Sequence, residues 1–323
     1  MTASWIIQTK GEPLPAIQTL LTGLLHNARL DVMLVPVRAA GPAAVKPAVV
    51  TTAEGLVEAD PFAPLMTVNA ARLVVDYTAQ NPGKRLGAVL RACEVRALLE
   101  VAEYNALDLK DVLIIGVDCV GTFTVEDFAW RGTPDKMTDE VLRFARQGGV
   151  AGYRYRPACQ MCVEPMPDAA DLTIDLLGLP ARKVVMITAH NPRIADDVNL
   201  PGLTDGEAPP DLIQQHEEMR QAISARRART RERILKALRE DLAMDVEELV
   251  AHLQGCESCR ACMDACPIYG GKIGQDEPLT PEVVIRWLGS CAGCGMCEAA
   301  CPRHLPLTAI FTRIHDELAR QLT

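Results

Sequence analysis

Twelve cysteines stand among 323 residues, and eight of them fall into two runs of one pattern. The first run is Cys256-x-x-Cys259-x-x-Cys262-x-x-x-Cys266-Pro267, and the second is Cys291-x-x-Cys294-x-x-Cys297-x-x-x-Cys301-Pro302. Three thiolates spaced in this way can wrap one face of a 4Fe–4S cube. The fourth, followed by proline, turns away and ligates the other cube. The spacing therefore assigns Cys256, Cys259, Cys262 and Cys301 to one cluster, and Cys291, Cys294, Cys297 and Cys266 to a second. Structural zinc uses cysteine pairs and does not demand this three-plus-one pattern twice. The small residues Ala292, Gly293 and Gly295 let backbone amides approach the sulfurs.

The other four cysteines, Cys93, Cys119, Cys159 and Cys162, lie in the first half of the chain. Cys93 and Cys119 each follow a strand-like segment, the place where ligands gather in open α/β sheets. Cys159 and Cys162 form a Cys-x-x-Cys pair in a loop-like stretch. Two strand-end thiols and a pair can close a third four-thiolate site. Simple packing of a buried cysteine, or zinc, stays open as an alternative.

The elements that must position these thiols follow from hydrophobic periodicity. Ser4–Thr9, Asp31–Val37, Lys84–Leu90, Asp111–Val117 and Lys183–Thr188 are short, apolar and β-branched, as strands are. Leu14–Leu25, Val68–Gln80 and Glu94–Tyr104 repeat apolar residues every three or four positions, as helices do. The alternation predicts an α/β layered domain with a mostly parallel sheet over residues 1–203. Residues 204–250 form a helical connector. Its 220–239 stretch holds seven Arg and one Lys against one Glu, which reads as a solvated face or as a docking stripe for an acidic partner. Residues 251–323 form the two-cluster 4Fe–4S ferredoxin domain. Between its runs, Thr280 and Pro281 open a helix, which favours an all-helical module. Asp118 and Glu126 flank the Cys119 loop and read as solvated carboxylates.

Composition excludes several classes. A net charge of −9 and 4% aromatic residues argue against nucleic acid. No apolar stretch approaches the ~20 residues of a membrane span, and the amino terminus lacks the pattern of a secretory signal. Twelve unexported cysteines suit a cytoplasmic, reducing compartment.

The stretches LRACEVRALLEVAE, IIGVDCVGTF, RPACQMCVEPMPDAADLTI and ADPFAPLMTVNAARL resemble the beta-subunit family of coenzyme F420-reducing hydrogenases and dehydrogenases. With the ferredoxin domain second, the order resembles the beta subunit of archaeal-type formate dehydrogenases. The resemblance implies FAD and one 4Fe–4S cluster in the first domain, with Cys93, Cys119, Cys159 and Cys162 on the cysteine-bearing motifs. Where many relatives carry a glycine pair ahead of a helix, this chain has Lys10-Gly11-Glu12-Pro13. Lys10 and Gly11 are thus its candidate flavin residues, with Glu12 poorly suited to an anion. What the resemblance implies is an iron–sulfur electron-transfer flavoprotein subunit of an anaerobic redox complex. It would move electrons between a two-electron carrier such as coenzyme F420 and a partner dehydrogenase, hydrogenase or heterodisulfide reductase-like unit. The alternative is a flavin-free relay and docking subunit without its own active site.

Overall fold

Seven strands form one sheet in the order β1-β7-β6-β5-β4-β2-β3. They are β1 (Ala3–Gln8), β2 (Val32–Arg38), β3 (Val45–Val50), β4 (Leu86–Arg91), β5 (Val112–Val117), β6 (Leu172–Asp175) and β7 (Val184–Ala189). This computed structural model describes residues 2–41, 44–149, 155–241, 245–256, 259–272 and 278–321.

The sheet is mixed, which corrects the expectation of a mostly parallel one. The pairs β2–β4, β4–β5 and β5–β6 are parallel, while β2–β3, β6–β7 and β1–β7 are antiparallel. The cause is local. The connection between β6 and β7, residues 176–183, is too short for the crossover helix that a parallel neighbour needs, so the chain turns back on itself. At the other edge β3 carries Pro47, tolerated where no further strand requires its missing N–H.

Alternation along the strands feeds two apolar layers. Met33, Val35, Val89, Ile115 and Val117 face helix α1 (Pro13–Asn27), which buries Ile17, Leu21 and Leu24 against them. Leu34, Ala88, Leu90 and Ile114 face α2 (Ala71–Gln80) and α3 (Ala92–Tyr104). That second layer does not end at the sheet domain. It runs on through Met263, Ile268, Tyr269, Trp287 and Phe311 in the cysteine-rich part, so the two parts share one apolar core.

The connector begins with the long helix Pro210–Asp241, and helix Val246–Gln254 follows; residues 242–244 of the expected continuous helix lie outside the described residues. Short helices then carry the cysteines, and Pro281–Gly289 stands between the two runs, capped by Thr280 through its side-chain oxygen. No strand occurs among the described residues after 245. Among the described residues no helix is long and apolar enough to cross a membrane.

Trp287 is 1% exposed and meets Tyr269 and Phe311 edge-on, with ring centroids 5.0 and 5.1 Å away. Trp287→Ala should therefore cost ~3–5 kcal/mol, read as a lower midpoint in denaturant.

Candidate metal centres

The twelve thiols gather as three quartets. Cys256, Cys259, Cys262 and Cys301 line one cavity of about 560 Å³, together with Arg260, Tyr269 and Arg303. Burial pushes the Cys262 thiol up to about 11, and the neighbouring Cys301 and Cys256 thiols push the same way. The Arg303 guanidinium lies 3.4 Å from Cys256 Sγ as a donor. Cys301, supplied by the second run, thus joins three cysteines of the first.

Cys266 leaves its own run for the reciprocal group. Burial raises its thiol to about 12, and Cys294 and Cys291 of the second run add to the rise. Cys297 is raised by burial and then by Cys266, Cys291 and Cys294, with Cys262 adding least. Trp287 Nε1 donates to Cys266 Sγ at 3.2 Å. Nothing in the cysteine spacing singles out Trp287. The available signal is that a buried indole N–H needs an acceptor.

The third quartet sits at the carboxyl ends of the central strands. Cys93 is the second residue of α3, which follows β4 directly, and Cys119 lies just past β5. Cys159 rides the short helix Pro157–Met161, and Cys162 follows that helix. Burial raises Cys119 to about 11, with Cys159 and Cys162 adding to it. Burial also raises Cys93, where Glu94, Cys119 and Cys294 reinforce the shift. Cys159 goes the other way. Burial would raise it, but Arg156 and two hydrogen-bonding contacts with Thr122, at 3.3 and 3.4 Å, bring it below the ordinary thiol range.

Arginines surround this third quartet. Arg156 and Arg227 are 5% and 7% exposed. Arg156 donates to Thr122 Oγ1 at 2.9 Å, and its Nη1 and Nη2 lie 3.4 Å from Met296 Sδ and 3.9 Å from Cys159 Sγ. Arg227 donates to the carbonyls of Val120, Cys119 and Cys162 at 2.7, 3.3 and 3.4 Å. Arg96 reaches from α3 to the Ala292 carbonyl at 3.1 Å and lies 4.0 Å from Cys162 Sγ. Among the described residues, no carboxylate forms an ion pair with Arg156 or Arg227. Four thiolates around a metal centre carry the negative charge that two such guanidiniums lack, so the donor set fits an anionic four-thiolate group.

Arg227 belongs to the basic stretch of the connector, so that stretch is not simply a solvated face. Arg227 points inward at the third quartet, Arg220 pairs with Asp168, and Arg231 pairs with Asp316. Arg226, Arg229, Arg233 and Lys236 are exposed.

Asp118 also departs from the solvated role expected of it. It is 4% exposed and accepts the N–H groups of Leu176 and Leu177 at 2.9 and 3.0 Å. His216 of the connector lies between two carboxylates, with Nδ1 3.6 Å from Asp118 and Nε2 3.8 Å from Asp175. The pairing spans distant parts of the chain, which local patterning does not encode. Burial opposes charge on His216, but Asp118 and Asp175 outweigh it and raise its pKa. Burial raises Asp175 to about 7. The signs agree. A charge held more tightly by folded His216 stabilises below its ordinary ~6.5 and fades as pH rises through the higher folded value. A folded Asp175 that resists ionisation loses stability from about pH 4 up through about 7. The connector's hold on the sheet should therefore weaken from acid towards neutral pH. His216→Gln should remove the histidine's part of that slope and leave the part due to buried Asp175, measured as thermal midpoints across pH.

Lys10 and Gly11 do not join these centres. Both are exposed, with positive φ of 50° and 94°, at the end of the edge strand β1. The helix behind them begins at Pro13, with Pro15 two residues on and Glu12 at its cap position. Two prolines remove amide donors and Glu12 repels an anion, so this turn does not fit a flavin phosphate.

A family model described as a 4Fe-4S dicluster domain matches residues 248–303. The F420-dependent formate dehydrogenase subunit beta of Methanocaldococcus jannaschii is 24% identical over 248 residues, 69% of this chain and 63% of that protein. The F420-dependent formate dehydrogenase 1 subunit beta of Methanococcus maripaludis is 22% identical over 291 residues, 81% of this chain and 73% of that protein. The matched part of the chain thus spans less than two thirds of the length of the first of these relatives. A chain of the F420-reducing [NiFe] hydrogenase complex from Methanosarcina barkeri shares the fold. Its TM-score is 0.52 at 13% identity, covering 73% of this chain and 91% of that one. The chain is similar, over most of its length, to the beta subunits of F420-dependent formate dehydrogenases, and it carries a 4Fe–4S dicluster domain towards its C-terminal end.

Proposed function

We propose that this chain is an iron–sulfur electron-transfer subunit with three 4Fe–4S sites, working within a larger redox complex. The observation that carries the third site is the pair of buried guanidiniums, Arg156 and Arg227, which face four thiols and have no carboxylate partner among the described residues. Burying such charges without an answering anion is costly. The sites follow in series. Cys93 feels Cys294 of the second group, and Cys297 of that group feels Cys262 of the first. The relatives' names support electron exchange between coenzyme F420 and a partner dehydrogenase or hydrogenase. A flavin, when bound, would convert two-electron transfers at such a carrier into the single-electron steps that clusters carry.

A cavity of about 400 Å³ lies beside Phe123, Arg156, Met296 and His304, between the sheet domain and the cysteine-rich part. It is the better place for a flat redox ring than the Lys10–Gly11 turn, being within the size range of ligand pockets. The second reading is a relay without flavin, favoured by the proline and glutamate at that turn. Iron and extracted flavin per anaerobically purified chain test both. About twelve irons with one FAD support the flavoprotein. About twelve irons without flavin support the relay, and about eight overturn the third cluster.

A further inference from the structure

Arg156 and Arg96 each touch two quartets. Arg156 places one guanidinium nitrogen 3.9 Å from Cys159 Sγ of the third quartet and another 3.4 Å from Met296 Sδ, between Cys294 and Cys297 of the second. Arg96 lies 4.0 Å from Cys162 Sγ and donates at 3.1 Å to the carbonyl of Ala292, between Cys291 and Cys294. Arg96 also donates to the Glu164 carbonyl at 2.9 Å and lies 3.5 Å from the Glu164 carboxylate. Both arginines also act on the second quartet, Arg156 on Cys294 and Arg96 on Cys291, but the ligand sulfurs their nitrogens reach, at 3.9 and 4.0 Å, are Cys159 and Cys162 of the third.

We propose that Arg156, with Arg96 in support, bridges the two centres and holds the Cys93/Cys119/Cys159/Cys162 centre at a higher potential than the Cys266/Cys291/Cys294/Cys297 centre. The proposal rests on the three-site reading above. A guanidinium beside ligand sulfurs favours the reduced, more negative state of the cube, and in a buried site that effect is weakly screened. Arg227, which also faces the third centre, acts in the same direction. When one electron crosses the bridge, one cube is oxidised as the other is reduced. The arginines stay protonated throughout and take no part in the electron count. They are positioning residues: they orient and tune, and the cubes carry the electron.

The test is a redox titration of the full anaerobic chain followed by electron paramagnetic resonance, with iron content measured on the same samples. Arg156→Gln should keep its iron and shift the third centre's reduced-to-oxidised ratio about tenfold towards oxidised at a set potential, ~59 mV for one electron. The second centre should move less, and Arg156→Lys should restore most of the shift. Should Arg156→Gln fail to hold iron, Arg96→Gln carries the same expectation, because Arg96 is partly exposed, at 29%, and its removal leaves no buried cavity. Twelve irons with superimposable titrations in the wild type and the glutamine variants would overturn the bridge alone. About eight irons in the wild type would overturn the three-site reading, and the bridge with it.

Discussion

Gly295→Ala is expected to separate the second cysteine run from the helix that carries Cys159. Gly295 has a φ of +68°, and a Cβ there would stand 2.3 Å from Cβ of Ala158 and 3.3 Å from Oγ1 of Thr308. Ala158 belongs to the short helix Pro157–Met161, which has no flexible side-chain end at that point to yield. Left-handed backbone and forced overlap together should cost ~2–5 kcal/mol. Iron should fall at both the second and third centres, because their shared contact is the one displaced. Gly293 supplies the control. Its φ is +64°, but a Cβ there meets nothing within 4 Å. Gly293→Ala should therefore cost only the backbone part, ~1–2 kcal/mol, and keep its iron. Equal iron loss in both variants would show that close packing at Gly295 is not what joins the two centres.

The second large effect concerns the exchanged cysteines. Cys266→Ser should empty the centre of Cys291, Cys294 and Cys297, and leave that of Cys256, Cys259 and Cys262 filled. Pairs of substitutions separate this from a scheme in which each run keeps its own fourth ligand. Cys266→Ser combined with Cys294→Ser should lose about four irons, no more than Cys294→Ser alone. Cys266→Ser combined with Cys259→Ser should lose about eight. The opposite result, about four irons lost with Cys259→Ser and about eight with Cys294→Ser, would return Cys266 to its own run. Iron analysis alongside visible absorbance reads both outcomes.

The sequence made the cysteine grouping legible because ligand spacing is set by the cube and leaves a local imprint on the chain. Most of the sheet was legible for a similar reason: β2, β4, β5 and β7 are apolar runs bounded by Gly, Pro or charge. β6 is only four residues, LTID, and β3 contains proline, so neither stands out by pattern. Missing β6 conceals the hairpin that reverses β7, and with it the mixed character of the sheet. The arginines were visible as a basic stretch, yet which of them turns inward depends on where the connector lies against Val120 and Cys162, 107 and 65 residues away along the chain. Asp118 and His216 were hidden in the same way. Each is unremarkable beside its neighbours, and their pairing exists only once the connector crosses the sheet.

The arginines that converge on the third quartet also bear on how the protein is made. A newly synthesised chain that has not received its iron would have to seal Arg156 and Arg227 away from water with no anion opposite them. That cost favours a state in which the Pro157–Met161 segment stands away from the strand ends, leaving Cys93 and Cys119 open to a cluster donor. On the three-site reading, delivery of the inorganic group would supply the missing charge and let the segment close. Maturation would run from the strand ends outward, with the final closure licensed by the cofactor itself.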